Sequence, residues 1–226
     1  MPHANPTLCF DLDGTLVNTA PDLLNALDYS LTQNGHPKSN HTQIRTIIGQ
    51  GAMAMLKQAI TSSAQPLSPP NDQDLKPLWQ TMIDHYATHI ADESHLFDGA
   101  KTILDELKQA GHPLTICTNK PEFLTKPLLE ALKITPLFHA ITCSDTYAFK
   151  KPDPRTLIET ITAAGGTPEN AIMIGDSKTD IDTARNANIP VIGTTFGYTD
   201  TPMQTLQPDK LMTHYSELPS LIASLI

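Results

Sequence analysis

The chain has 226 residues, which is enough for one large domain or two small ones with a buried apolar core. Its formal net charge of -9 argues against a nucleic-acid partner, because phosphate backbones are bound by clustered lysine and arginine side chains. The first six residues do not resemble a signal peptide, and no apolar run approaches the length of a membrane span. We therefore expect a cytoplasmic protein without a membrane partner, either a monomer or a small homo-oligomer.

The three cysteines, Cys9, Cys117 and Cys143, are odd in number and widely spaced, which does not indicate a disulfide framework. Each lies in an apolar run that predicts a strand. We expect buried thiols in a reducing compartment.

The first predicted strand covers 8–10 and ends at Asp11, and a long region with helical spacing of apolar residues follows it. Helices are predicted over 21–31, 42–48, 52–60 and 72–90, and a Ser/Pro-rich loop over 61–71. Residues 18–95 are therefore predicted to form an all-helical insertion.

From Gly99 onward, short apolar strands alternate with helices, and this pattern predicts a parallel sheet covered on both faces. The predicted strands are 114–117, 140–143, 171–174, 191–193 and one near Leu211. The predicted helices are 100–109, one from about 121, one from 154, 179–187 and one from 216. We expect an α/β core of residues 1–17 and 96–226, with 18–95 as a helical cap domain. An insertion after the first strand lies where open α/β sheets bind ligands, so it is a candidate lid.

Polar side chains follow the predicted strands at their carboxyl ends, which is the ligand-binding edge of open parallel sheets. They are Asp11, Asp13, Thr118 and Asp176, and Lys151 lies in a loop at the same edge. Taken singly, each aspartate could instead cap a turn or a helix. As a set, three carboxylates provide the oxygen ligands that Mg²⁺ prefers.

Four segments resemble, in order, the motifs of the haloacid dehalogenase-like phosphatase superfamily. Residues 10–15 read Phe-Asp-Leu-Asp-Gly-Thr, 116–119 read Ile-Cys-Thr-Asn, Lys151 precedes Pro152, and 175–180 read Gly-Asp-Ser-Lys-Thr-Asp. Lys151 rather than Lys150 matches the motif, because the lysine of the family stands directly before proline. The resemblance spans essentially the whole chain, and it implies a Rossmann-like core with an inserted helical cap and a small phosphorylated metabolite as substrate.

The resemblance also implies catalytic roles. Asp11 would be the nucleophile that forms an aspartyl-phosphate, and Asp13 would be the general acid and then the general base. Thr118 and Lys151 would hold the phosphoryl oxygens, with Asn119 nearby.

The implied cofactor is Mg²⁺. Asp11 and Asp176 would bind it through their side chains, and Asp13 through its backbone carbonyl. Asp180 would assist or orient the site without binding the metal itself.

Within the superfamily, Gly14 and Thr15 resemble the phosphatase branch, whereas β-phosphoglucomutases usually have valine at the position of Thr15. The sequence therefore favours a phosphatase over a phosphomutase, and the aspartates argue against a binding module that has lost activity. Pyrophosphate, nucleotides and sugar phosphates stay open as substrates.

The insertion contains a segment, 45–51, that reads Arg-Thr-Ile-Ile-Gly-Gln-Gly and resembles a loop of phosphoglycolate phosphatases. That branch often has Trp near position 47 and Asn at position 50, where this chain has Ile47 and Gln50. We expect Arg45, Gly49 and Gln50 to contact a small anionic substrate, since an arginine can pair with a carboxylate through two hydrogen bonds. The specific hypothesis is a phosphoglycolate phosphatase.

Overall fold

The computed structural model describes residues 5–62 and 71–226, which fall into two units. The first unit comprises the chain up to Asn18 together with His95–Ile226, and the second comprises Thr19–Ser94. Residues 63–70 of the predicted Ser/Pro-rich loop, and residues 1–4, lie outside the described part.

The first unit is built on a parallel sheet. The strands of this unit are β1 (Thr7–Phe10), β2 (Val17–Asn18), β3 (His95–Leu96), β4 (Leu114–Cys117), β5 (Ala140–Thr142), β6 (Ala171–Gly175), β7 (Val191–Thr194) and β8 (Lys210–Met212). Six of these strands pair in the order β5-β4-β1-β6-β7-β8, and each pairing is parallel. The prediction of a parallel α/β sheet is confirmed.

The central strands β4, β1, β6 and β7 are buried at every residue, as expected for strands covered by helices on both faces. Their register is even, because Phe10 lies opposite both Ile116 of β4 and Ile174 of β6. The residues that follow these three strands therefore emerge at one edge of the sheet. That edge carries the first, second and fourth predicted motifs.

The second unit is helical. It contains α1 (Ala20–Gln33), α2 (His41–Arg45), α3 (Ala52–Ser62) and α4 (Asp72–Thr88). α1 buries its predicted apolar stripe, and the Ser30 hydroxyl donates to the Leu78 carbonyl oxygen of α4 at 2.6 Å. The buried Asp22 carboxylate accepts hydrogen bonds from the backbone N–H groups of Glu93 and Ser94, so the two ends of this unit are joined.

Two predicted boundaries in this region differ from the structure. The helix predicted over 42–48 ends at Arg45, and a 3₁₀ turn over Ile48–Gln50 follows it, which ends at Gly51 with φ 92°. In addition, the antiparallel pair of β2 with β3 joins Asn18 to His95, so both residues belong to the α/β unit. This two-residue pairing is too short to leave a periodic signal in the sequence.

The helices of the α/β unit are α5 (Ala100–Gln109), α6 (Glu122–Ala131), α7 (Pro154–Ala163), α8 (Lys178–Asn186), α9 (Met203–Leu206) and α10 (Leu218–Ala223). One apolar cluster joins the sheet to α7 and α8, and it includes Cys9, Leu157, Ile161, Met173, Ile181 and Ala184. The three cysteines are free and buried, as predicted. Within the described residues, no helix combines the length and apolar character needed to cross a bilayer.

Candidate active site

The nucleophile predicted from the first motif, Asp11, follows β1 directly and is fixed by its backbone. Its N–H donates to the Ile174 carbonyl oxygen at 2.9 Å, which extends the pairing of β1 with β6 by one residue. Its Oδ1 lies 2.9 Å from Nζ of Lys151, whose side chain is almost fully buried. The structure therefore brings the first and third motifs into direct contact.

Asp180 links Lys151 to the start of α8. Its Oδ1 accepts a hydrogen bond from Nζ of Lys151 at 2.6 Å. Its Oδ2 accepts from the N–H of Asp176 at 3.2 Å and from the hydroxyl of Ser177 at 2.7 Å. Because Ser177 in turn caps α8 through the N–H of Asp180, the pair forms a capping box. The helix start thus holds Asp180 against Lys151.

Asp176 is held from two sides. The Thr15 hydroxyl donates to its Oδ1 at 3.1 Å, and the Tyr198 N–H donates to its Oδ2 at 2.7 Å. Gly14 and Gly197 pass so close that a Cβ atom at either position would overlap the Asp176 side chain. The orientation of this carboxylate is therefore set by its surroundings.

Asp13 pairs with a different lysine from the one that contacts Asp11. Its two carboxylate oxygens lie 3.1 and 3.2 Å from Nζ of Lys120, and its side chain is 20% exposed whereas that of Lys120 is 4% exposed. The more open position suits a group that exchanges protons with a substrate and with water.

Thr118 and Asn119 follow β4, as predicted. The Thr118 hydroxyl oxygen accepts a hydrogen bond from the Lys120 N–H at 3.1 Å, and a hydroxyl that accepts can still donate its own hydrogen. The Asn119 amide donates to the Lys151 carbonyl oxygen at 3.0 Å, while its Oδ1 is buried without a partner among the described residues. Asn119 therefore fixes the backbone that carries Lys151.

Carboxyl groups outnumber ammonium groups at the site. Four aspartates, Asp11, Asp13, Asp176 and Asp180, lie at this edge with two lysines, Lys120 and Lys151. Burial and then the charge of Asp180 raise the pKa of Asp11 to about 7, although Lys151 acts in the opposite direction.

Burial and neighbouring charges also shift the pKa values of Asp176 and Lys151. Burial, followed by the charges of Asp11 and Asp180, raises the pKa of Asp176 well above its ordinary range. Burial alone would lower the pKa of Lys151, but the same two aspartates raise it above its ordinary value. Lys151 is therefore a permanent cation, and the carboxylates lack one further positive partner.

The donor set fits a hard divalent cation. Asp11, Asp176 and Asp180 are buried and place carboxylate oxygens within 4.8 Å of one another. An all-oxygen set in which carboxyl groups outnumber ammonium groups suits Mg²⁺. One Asp180 oxygen is already paired with the ammonium group of Lys151, whereas the Asp176 oxygens accept hydrogen bonds from neutral groups, the Thr15 hydroxyl and the Tyr198 N–H. Asp176 is therefore better placed than Asp180 to join Asp11 as a ligand.

The residues predicted in the insertion lie in the helical unit. Arg45 ends α2, and Gly49 and Gln50 lie in the following 3₁₀ turn, all three exposed. Arg45 also lines a cleft of about 390 Å³ with Asn25 and His41 of the same unit. Their contact with a substrate stays a prediction.

Two contacts at the site were missed by sequence reasoning. Lys120 stands two residues after Thr118, a strand-end position that could have indicated it. Tyr198 follows β7 within the segment Phe196-Gly197-Tyr198 and contacts Asp176 through its backbone N–H, which no side-chain pattern reports.

Residues 8–194 match the family model for haloacid dehalogenase-like hydrolases. A phosphoglycolate phosphatase of Agrobacterium fabrum is 44% identical over 98% of this chain and 94% of that protein. A phosphoglycolate phosphatase of Mesorhizobium japonicum is 40% identical over 95% of this chain and 93% of that protein.

A solved structure agrees with the fold. The crystal structure of a "predicted phosphoglycolate phosphatase" from Haemophilus somnus 129PT superposes with a TM-score of 0.87 at 27% identity, covering 96% of this chain and 97% of that one. The resemblance predicted from the four motifs is confirmed. The chain is an enzyme of the haloacid dehalogenase-like hydrolase family.

Proposed function

We propose that the protein is a magnesium-dependent phosphatase that hydrolyses 2-phosphoglycolate to glycolate and inorganic phosphate. The observation that carries the proposal is similarity over nearly the full length to phosphoglycolate phosphatases, at 44 and 40% identity. The contact between Asp11 and Lys151 supports the chemistry, because it sets a carboxylate nucleophile beside a fixed cation.

In the first step, a carboxylate oxygen of Asp11 attacks phosphorus, and the bond between phosphorus and the ester oxygen breaks. The carboxyl group of Asp13 gives its proton to the leaving oxygen, which departs as the glycolate hydroxyl. Lys151 and the Thr118 hydroxyl stabilise the equatorial oxygens of the transferring group, whose charge is the main obstacle to be neutralised.

In the second step, water attacks phosphorus of the aspartyl-phosphate, and Asp13, now a carboxylate, takes a proton from that water. The bond between phosphorus and the Asp11 oxygen breaks, which releases inorganic phosphate and restores both aspartates. Mg²⁺ held by Asp11 and Asp176, with the Asp13 carbonyl as a further ligand, would neutralise and orient the phosphoryl group.

The experiment is a metabolite panel. Purified protein with Mg²⁺ is assayed for phosphate release from 2-phosphoglycolate, pyrophosphate, nucleotides and sugar phosphates. We expect the highest kcat/KM for 2-phosphoglycolate and loss of turnover with EDTA. A higher kcat/KM for another member of the panel would reject the substrate, and isomerisation of a sugar phosphate without phosphate release, seen by NMR, would reject the phosphatase.

A further inference from the structure

A second buried lysine lies beside the general acid. Lys120 is only 7% exposed, and its ammonium group lies within 3.2 Å of both carboxylate oxygens of Asp13. Lys151, in contrast, contacts Asp11 and Asp180. The two lysines of the site are thus divided between the nucleophile and the general acid.

The backbone of Lys120 is fixed on both sides. Its N–H donates to the Thr118 hydroxyl oxygen at 3.1 Å, and its carbonyl oxygen accepts from the Ser144 N–H at 3.1 Å. Burying an ammonium group is costly unless a carboxylate compensates it. The ammonium of Lys120 is therefore held at one place rather than sampling the solvent, as a surface lysine does.

In the proposed mechanism that place lies on the leaving-group side, because Asp13 protonates the leaving oxygen. To protonate the ester oxygen, Asp13 must come within hydrogen-bond distance of it. Nζ of Lys120 lies one further hydrogen bond away, at 3.1 Å from Asp13. In 2-phosphoglycolate, a single methylene group separates the ester oxygen from the carboxylate. An ammonium group at this position can therefore reach that carboxylate while it holds Asp13.

We propose that Lys120 is a specificity-determining residue that selects phosphate esters whose leaving group carries a carboxylate next to the ester oxygen. The inference rests on the proposed function, and it assigns to one residue the recognition of the part of the substrate that is not phosphate. A pairing of ammonium with substrate carboxylate is a charge-assisted hydrogen bond, whose loss is costly because Lys120 itself is buried.

The test compares 2-phosphoglycolate with ethyl phosphate, in which a methyl group replaces the carboxylate. In the wild type, kcat/KM favours 2-phosphoglycolate. In Lys120→Met this preference falls about 10- to 100-fold, the size expected for one charged hydrogen bond. Lys101→Met is the matched control, since Lys101 pairs with Asp105 on the exposed side of α5, and it leaves the preference unchanged.

A purely structural role for Lys120 predicts a different result, with both substrates losing the same factor and the preference surviving. That result overturns the inference and leaves the proposed function intact. A wild type without any preference for 2-phosphoglycolate overturns both. If Lys120→Met does not give a folded protein by circular dichroism, Lys120→Gln carries the same test, because an amide still donates to Asp13 but lacks the charge.

Discussion

The candidate residues of the α/β unit and those of the helical unit are held in different ways. Asp11, Asp176 and Asp180 are buried, and each accepts hydrogen bonds or ion pairs from neighbours fixed by the sheet edge and α8. Arg45 and Gln50 are exposed, on a short helix and a 3₁₀ turn. Changes at the buried aspartates of the α/β unit should therefore affect the chemical step, whereas changes at the exposed residues of the helical unit should affect substrate affinity.

The largest loss of activity is expected for Asp11→Asn. The amide is not a nucleophile, so turnover of 2-phosphoglycolate should fall at least about 1,000-fold, as for other covalent nucleophiles. Steady-state phosphate release measures this loss. Asp105→Asn, a change at an exposed ion pair of α5, is the control and should keep full activity. Turnover within tenfold of the wild type in Asp11→Asn would reject the aspartyl-phosphate mechanism.

The same variant should be more stable than the wild type in magnesium-free buffer at pH 8. The pKa of Asp11 is raised to about 7 by burial and by Asp180, so the folded state holds this proton more tightly than the unfolded state does. The wild type therefore loses stability as the pH rises from the ordinary carboxyl range to about 7, and asparagine removes that loss. Thermal melts should show a higher Tm for Asp11→Asn at pH 8 and a smaller difference at pH 5.

Local patterns were sufficient to predict much of the α/β unit. The strand Leu114–Cys117 and the helix Ala100–Gln109 have the predicted bounds, because an apolar run marks the first and Gly111, with φ 88°, follows the end of the second. The even carboxyl ends of β1, β4 and β6 follow from a parallel sheet, so the placement of Asp11, Thr118 and Asp176 at one edge could be predicted from the sequence.

The remaining contacts depend on partners that are distant in the chain. Lys120 pairs with Asp13 across 107 positions, and no local pattern predicts which of two neighbouring aspartates a lysine will contact. Tyr198 acts on Asp176 through a backbone N–H that nearly any residue could supply. Such contacts depend on the loops that follow the strands, whose course is set by tertiary packing rather than by periodicity.

A smaller effect than that of Asp11→Asn is expected when a glycine of either unit is replaced by alanine. In Gly197→Ala, the new methyl group would overlap Asp176, which cannot move away because Thr15 and Tyr198 hold it. We expect kcat to fall at least about 100-fold and the Mg²⁺ concentration for half-maximal activity to rise about 10-fold or more. A magnesium titration of activity measures both changes.

Gly35→Ala is the counterpart in the helical unit. A methyl group there meets no atom within 4 Å, so the cost is backbone strain at φ 77°, about 1 to 2 kcal/mol. We expect Tm to fall by a few degrees with kcat and the magnesium response unchanged. Equal losses of kcat in the two variants would contradict this prediction, because they would show that a change in the helical unit also affects the chemical step.

The smallest effect is expected for Arg45→Ala, which tests the prediction that Arg45 binds the anionic substrate. Because Arg45 is exposed, its pairing with an anion is weakened by water and salt, so KM should rise about 3- to 10-fold while kcat is kept. Lys57→Ala is the control, since Lys57 is a cation of the same unit that pairs with Asp72. Rates over a range of 2-phosphoglycolate concentrations separate KM from kcat.

Assays with ethyl phosphate distinguish the contribution of Arg45 to substrate recognition from that of Lys120. A loss of preference in Arg45→Ala as large as in Lys120→Met would assign the substrate carboxylate to the helical unit. A rise in KM shared by both substrates, with the preference kept, leaves carboxylate recognition with the buried lysine.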